Sequence, residues 1–115
     1  MATYQVHMLA FMDGNAIRNV EVPDEIISAC GHDSETLLDK VFIFGQNDKQ
    51  PIEKVCSVSA GDVIQNGERY FLILSTGFQE ISEEQLHKYR SIERRDRFLV
   101  YFDRTTVIDK LGQVA

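Results

Sequence analysis

Proline and cysteine are scarce in this chain, and glycine never clusters. Two prolines and seven glycines in 115 residues leave no low-complexity or linker-like stretch, and no internal repeat appears. Two cysteines, Cys30 and Cys56, are too few to be read as a disulfide framework, and in a reducing compartment they stay as thiols. No apolar run approaches the roughly 20 residues that a membrane-spanning helix needs. The N-terminal residues lack the basic, apolar, small-residue order of a secretory signal, so the expected location is the cytoplasm. Gly14, Gly31, Gly45, Gly61, Gly67, Gly77 and Gly112 stand singly, each where a turn or helix end explains it, so nucleotide hydrolysis on a glycine-rich phosphate loop has no support. His7, His32 and His87 are dispersed, and Cys30-Gly31-His32 is the one close pair of ligand-type residues. A structural zinc takes four ligands, so neither a metal nor any other cofactor is expected. A thiol nucleophile at Cys30 or Cys56 lacks a base identifiable in the sequence.

What is present is apolar material and acid. Hydrophobic residues make up 43% of the chain, enough to give one domain over residues 1–115 a sizeable core. The formal net charge of −6 is unevenly spread. Residues 1–60 carry four basic against nine acidic side chains, a balance of −5, and residues 61–115 carry eight against nine, a balance of −1. The first part repels nucleic acid, so any anion-seeking surface must come from the second.

Residues 4–11 are rich in strand formers and residues 17–22 alternate, with Asp13-Gly14-Asn15 between them, which predicts an N-terminal hairpin. Pro23 ends the second strand, and Asp24-Glu25 suit the start of a short helical turn through Ala29. Asp33 or Ser34 can cap a helix carrying Leu37, Leu38, Val41 and Phe42, stopped by Gly45. Residues 41–44 equally fit a short buried strand, because four strand-favouring residues in a row are ambiguous by periodicity. Asn66-Gly67 between residues 63–65 and 69–74 predicts a second hairpin with a type I′ turn, and the unalternating run 70–74 predicts a strand buried on both faces. Ser82 with Gln85 forms a capping-box pattern ahead of Leu86, Tyr89 and Ile92 at helical spacing. Residues 98–102 predict a last strand, followed by a tail in which Val107, Ile108 and Leu111 dock. The fold class is therefore α+β: a mainly antiparallel sheet of about five strands with two helices, near 34–44 and 82–95, covering one side. A partly closed β-barrel is the alternative.

Two stretches are candidate binding sites. Gln46, Asn47, Asp48 and Gln50 concentrate amide and carboxylate groups able to hydrogen-bond a partner or ligand, although the same residues after a helix-ending glycine also make good turn formers. Arg90, Arg94 and Arg97 fall on one stripe at about 100° per residue and could grip phosphates or an acidic partner. The plain alternative is a solvated helix face laced by Glu and Arg pairs such as Arg90 with Glu93. Asp62 is explained as a turn residue leading into a strand, and Glu83-Glu84 as acids favoured at a helix start. No catalytic constellation appears.

The block Val41-Phe42-Ile43-Phe44-Gly45-Gln46-Asn47-Asp48-Lys49-Gln50-Pro51, followed by Cys56-Ser57-Val58-Ser59-Ala60-Gly61-Asp62-Val63-Ile64, resembles a pattern in small uncharacterised proteins of bacteria, phages and other mobile elements. The resemblance spans roughly residues 4–80, judged from matching element order. It implies a setting and carries no catalytic or cofactor role. Gly61-Asp62-Val63-Ile64 is also similar to the strand start of small β-barrel RNA-associated domains of the ASCH and PUA type.

These features together lead to the expectation of a non-enzymatic binding protein, an accessory factor of a mobile element that occupies a protein surface. The acidic first part suits a basic partner. A nucleic-acid-binding domain using Arg90, Arg94 and Arg97 is the first rival, and a small enzyme using residues 46–50 the second. A homodimer formed through the edge of the first hairpin stays open.

Overall fold

Alternation of side chains along the first two strands decides which way the sheet faces. In β1 (Ala2–His7) and β2 (Ile17–Val22), Tyr4, Val6, Val20 and Val22 are buried while Thr3, Gln5, Asn19 and Glu21 are exposed, the period-two pattern of strands with one packed face. They pair antiparallel from Ala2↔Val22 to His7↔Ile17. The computed structural model of the chain describes residues 2–12, 16–30, 35–46 and 57–112. The turn expected at residues 13–15 and the expected caps Asp33 and Ser34 lie outside the described residues.

The remaining strands are β3 (Val63–Asn66), β4 (Arg69–Ile73) and β5 (Phe78–Ile81). All neighbours pair antiparallel in one five-stranded open sheet ordered β2-β1-β3-β4-β5, so the α+β reading stands and β2 and β5 are edges rather than the seam of a barrel. The second hairpin forms where expected, but its turn is displaced by one residue. Asn66 still pairs with Arg69, and the positive φ of 62° falls on Gly67, the first of two central residues, a position glycine takes without steric cost.

Both faces of this sheet are covered, which corrects the expectation that the helices share one side. Helices α1 (Asp24–Cys30) and α2 (Glu35–Phe44) bring Ile27, Leu37, Leu38 and Val41 against Tyr4, Val6, Val20, Ile64, Phe71 and Ile73. On the opposite face, α3 (Glu83–Ser91) and α5 (Arg104–Leu111) bring Leu86, Tyr89, Val107 and Leu111 against Val63, Leu72, Leu74 and Ile81. The unalternating run in β4 is the trace of this arrangement: Phe71 and Ile73 feed one core, and Leu72 and Leu74 the other. Residues 41–44 are the end of α2 and not a strand, because Leu37, Leu38 and Val41 complete a helical stripe and the Gly45 amide closes on Val41 O at 2.9 Å.

Two further expectations fail for identifiable reasons. The helix expected over 82–95 breaks after Ser91, since Ile92 is extended (φ −73°, ψ 138°), and resumes as the short α4 (Arg94–Arg97). The Ser82–Gln85 capping box at its start is present in full, with Gln85 N–H donating to Ser82 Oγ at 3.0 Å and Ser82 N–H to Gln85 Oε1 at 2.9 Å. The expected last strand at 98–102 is a series of turns, held by Leu99 N–H to Asp96 O at 3.1 Å and Val100 N–H to Arg97 O at 2.9 Å. The fifth strand is instead β5, whose burial at Phe78 and Ile81 alone gives too short a pattern to stand out. The tail docks as α5, with Val107 and Leu111 buried and Ile108 outside.

Candidate functional site

The three arginines of the basic stripe do converge, and they converge on β1 and the chain just beyond it. Arg90 Nη2 donates to His7 Nδ1 at 2.9 Å, Arg97 Nη1 to Leu9 O at 2.7 Å and Arg94 Nη1 to Phe11 O at 2.9 Å. The acceptors alternate along the chain, so the stripe works as a row of stitches between α3–α4 and the first strand. Arg97 is 5% exposed. Its Nε also donates to Ile92 O and its Nη2 to Arg90 O, both at 3.0 Å, which satisfies the carbonyls left where α3 ends. Its guanidinium lies over the Tyr89 ring at 5.9 Å, a favourable cation–π distance. Arg94 is exposed, and Arg95 pairs with Glu93 at 2.8 Å on the surface.

Arginine has only donors, so the Arg90 contact makes His7 Nδ1 an acceptor and leaves the ring proton on Nε2. That proton goes to Gln65 Oε1 at 2.9 Å, and Gln65 Nε2 in turn donates to Gly67 O at 3.0 Å. Burial, and secondarily the Arg90 charge, hold the His7 pKa below its ordinary value, against the contrary pull of the Gln65 bond. His7 is thus a neutral, oriented link between an arginine and a glutamine.

Asp62 is the most buried carboxyl among the described residues, at 1% exposure. Ala10 N–H donates to Oδ1 at 2.9 Å and Ser59 N–H to Oδ2 at 2.8 Å. Burial raises its pKa to about 6 despite these donors. Beside it, Tyr89 O–H donates to Gly61 O at 2.6 Å, and the Tyr89 pKa is pushed up by burial and by the nearby Asp62. The cluster ties the chain after β1 to the start of β3, and with Asp62 closed off from solvent it offers no place for a substrate.

Of the polar candidates at 46–50, Gln46 is a structural pin: Nε2 donates to Phe42 O and Val58 O, both at 2.8 Å. Asn47, Asp48 and Gln50 lie outside the described residues. Gly45 is required by closeness, since a Cβ there would stand 2.4 Å from Val58 Cγ2.

The feature missed in the sequence is apolar. Phe98, Leu99 and Phe102 are 48%, 43% and 54% exposed, and the two phenylalanine rings meet edge to face at 6.4 Å. The backbone beneath them is fixed. Ser75 N–H donates to Tyr101 O at 3.0 Å, Ser75 Oγ to Phe102 O at 2.5 Å, and Thr106 Oγ1 to Val100 O at 2.6 Å. The available signal was Asp103 with Thr106 three residues on, a capping box that starts α5 and leaves the run pressed between two helices.

Among the described residues, no group of three or more His, Cys, Asp or Glu gathers as a metal site would require, and no helix is long and apolar enough to cross a membrane. No family model, curated protein or solved structure matches the chain.

Proposed function

We propose that this chain is a non-catalytic protein-binding domain whose contact surface is the turn carrying Phe98, Leu99 and Phe102. One observation carries the reading: large apolar side chains project to solvent from a backbone held by three hydrogen bonds to neighbouring elements. Exposed aromatics on a rigid support supply contact area without a large ordering cost on binding, which is how interface anchors work. The accessory role in a mobile element suggested by the resemblance fits a domain that acts by occupying another protein's surface. The −5 balance of residues 1–60 then steers a partner with basic character, while apolar contact supplies the affinity.

The nucleic-acid reading loses support because Arg97 directs its guanidinium to three carbonyls of the fold and Arg90 Nη2 is committed to His7. Affinity capture from a bacterial lysate, with and without nuclease and at low and high salt, tests the choice. Wild-type protein is expected to retain a discrete protein that survives nuclease. A folded Phe98→Ser/Phe102→Ser double variant is expected to lose it. Capture unaffected by the double variant, or bound nucleic acid that disappears with salt and with Arg94→Ala, would overturn the reading.

A further inference from the structure

The second face of the sheet is covered only over part of its width. Helices α3 and α5 pack on Val63, Leu72, Leu74 and Ile81, while Thr3, Gln5 and Asn19 on the same face of β1 and β2 are exposed. Strand register sets the side chains of this uncovered region in a row: Asn19 opposite Gln5, Gln5 opposite Gln65, and Gln65 opposite Tyr70. With strands about 4.8 Å apart, the row runs about 14 Å across four strands. A shallow cavity of about 340 Å³ lies over it, lined by Thr3, Gln5, Asn19, Gln65 and Gly67, within the size range of small-molecule sites.

We propose that this amide row binds a neutral polyhydroxylated ligand, a short carbohydrate. Every cavity-lining side chain is uncharged in a chain of net charge −6, and no Lys or Arg lies on the row to favour phosphate. Each amide offers both an acceptor and donors, which is the pairing a hydroxyl group can satisfy from either side. Tyr70, half-buried at the end of the row, packs against the α3–α5 core with its ring 6.0 Å from that of His7, and so bounds the row on that side. The row is also preorganised at one point. Gln65 is oriented by His7 on its oxygen and by Gly67 O on its nitrogen, and His7 is held by Arg90. This leaves one amide hydrogen and one oxygen lone pair of Gln65 uncommitted. His7 and Arg90 are positioning residues for the site. Fixing the donors before binding removes an ordering cost.

The test is titration of the 115-residue chain with maltotriose, cellotriose and chitotriose, followed by amide NMR including the side-chain NH₂ signals of Gln5, Asn19 and Gln65. At least one trisaccharide is expected to give saturable shifts centred on those three residues. Gln5→Ala/Asn19→Ala, both at exposed positions, is expected to weaken binding at least about tenfold with the backbone spectrum otherwise preserved. Absence of saturable shifts with all three probes would overturn the proposal. So would shifts indifferent to the double variant, or a stronger, salt-sensitive response of the same signals to a short oligothymidylate.

Discussion

Replacing Arg97 by Met keeps most of the side chain's length and removes its charge and donors. Three backbone carbonyls, Leu9 O, Ile92 O and Arg90 O, lose their partners at once. Hydrogen bonds to a charged group contribute about 1.5–3 kcal/mol each. Part of that gain is cancelled in the native protein by the cost of burying a guanidinium that is only 5% exposed, so the net loss is about 3–5 kcal/mol. That is a large share of the 5–15 kcal/mol or so that holds a domain together. At about 4 °C per kcal/mol for a chain of this length, Tm falls by about 12–20 °C. Arg97→Lys restores a charge but not the fork that reaches three acceptors, and should recover about half of the loss. Arg95→Met removes an exposed cation of the same segment and is expected to change stability by no more than about 0.5 kcal/mol. Urea unfolding followed by far-UV circular dichroism measures all three. If Arg97→Met stays within about 1 kcal/mol of wild type, the inward reading of the stripe is refuted and Arg97 belongs with ligand-gripping cations.

Asp62 sets a pH dependence of defined sign. Its folded pKa of about 6 lies above the ordinary carboxylate value, so the folded state binds the proton more tightly, and this group's contribution falls as pH rises from about 4 through 6, by about 3 kcal/mol in all. Denaturant midpoints across that window should show the slope in wild type and not in Asp62→Asn. His7 acts oppositely: its depressed pKa means that stability is lost as pH falls below its ordinary value, and nitrogen NMR of the ring at neutral pH should show the Nε2–H tautomer. Gly61→Ala places a Cβ 2.6 Å from the Tyr101 ring at φ 96° and should cost about 2–4 kcal/mol. Gly67→Ala, at φ 62° with nothing within 4 Å, should cost about 1–2 kcal/mol, and thermal melts of the pair separate packing from conformation.

The elements that were legible in the sequence are those whose signal is local. Alternation in β2, the Asn66-Gly67 turn region and the Ser82–Gln85 box depend on neighbours within a few residues, and each formed. The unalternating β4 announces burial on both faces, which requires cover on both sides of the sheet and is at odds with two helices on one side. The run 98–102 misled because strand propensity describes a residue's fit to a half-buried pleat, whereas these five residues bridge α4 and α5 and are pinned by Ser75 and Thr106. Spacing placed Arg90, Arg94 and Arg97 together, but which way a stripe faces is a tertiary fact. The same holds for the amide row, whose three amides come from three strands and share a line only through register.

Site-specific photo-crosslinking reads contact at the Phe98, Leu99 and Phe102 turn itself. With a benzophenone side chain at position 102 and the rest of the protein unchanged, irradiation in a bacterial lysate after nuclease treatment is expected to yield one discrete protein adduct. The adduct should be lost when Phe98→Ser is added and should be absent when the probe is moved to exposed Glu84 on α3. No adduct at position 102, or the same adduct from both positions, would contradict a contact surface at Phe98, Leu99 and Phe102.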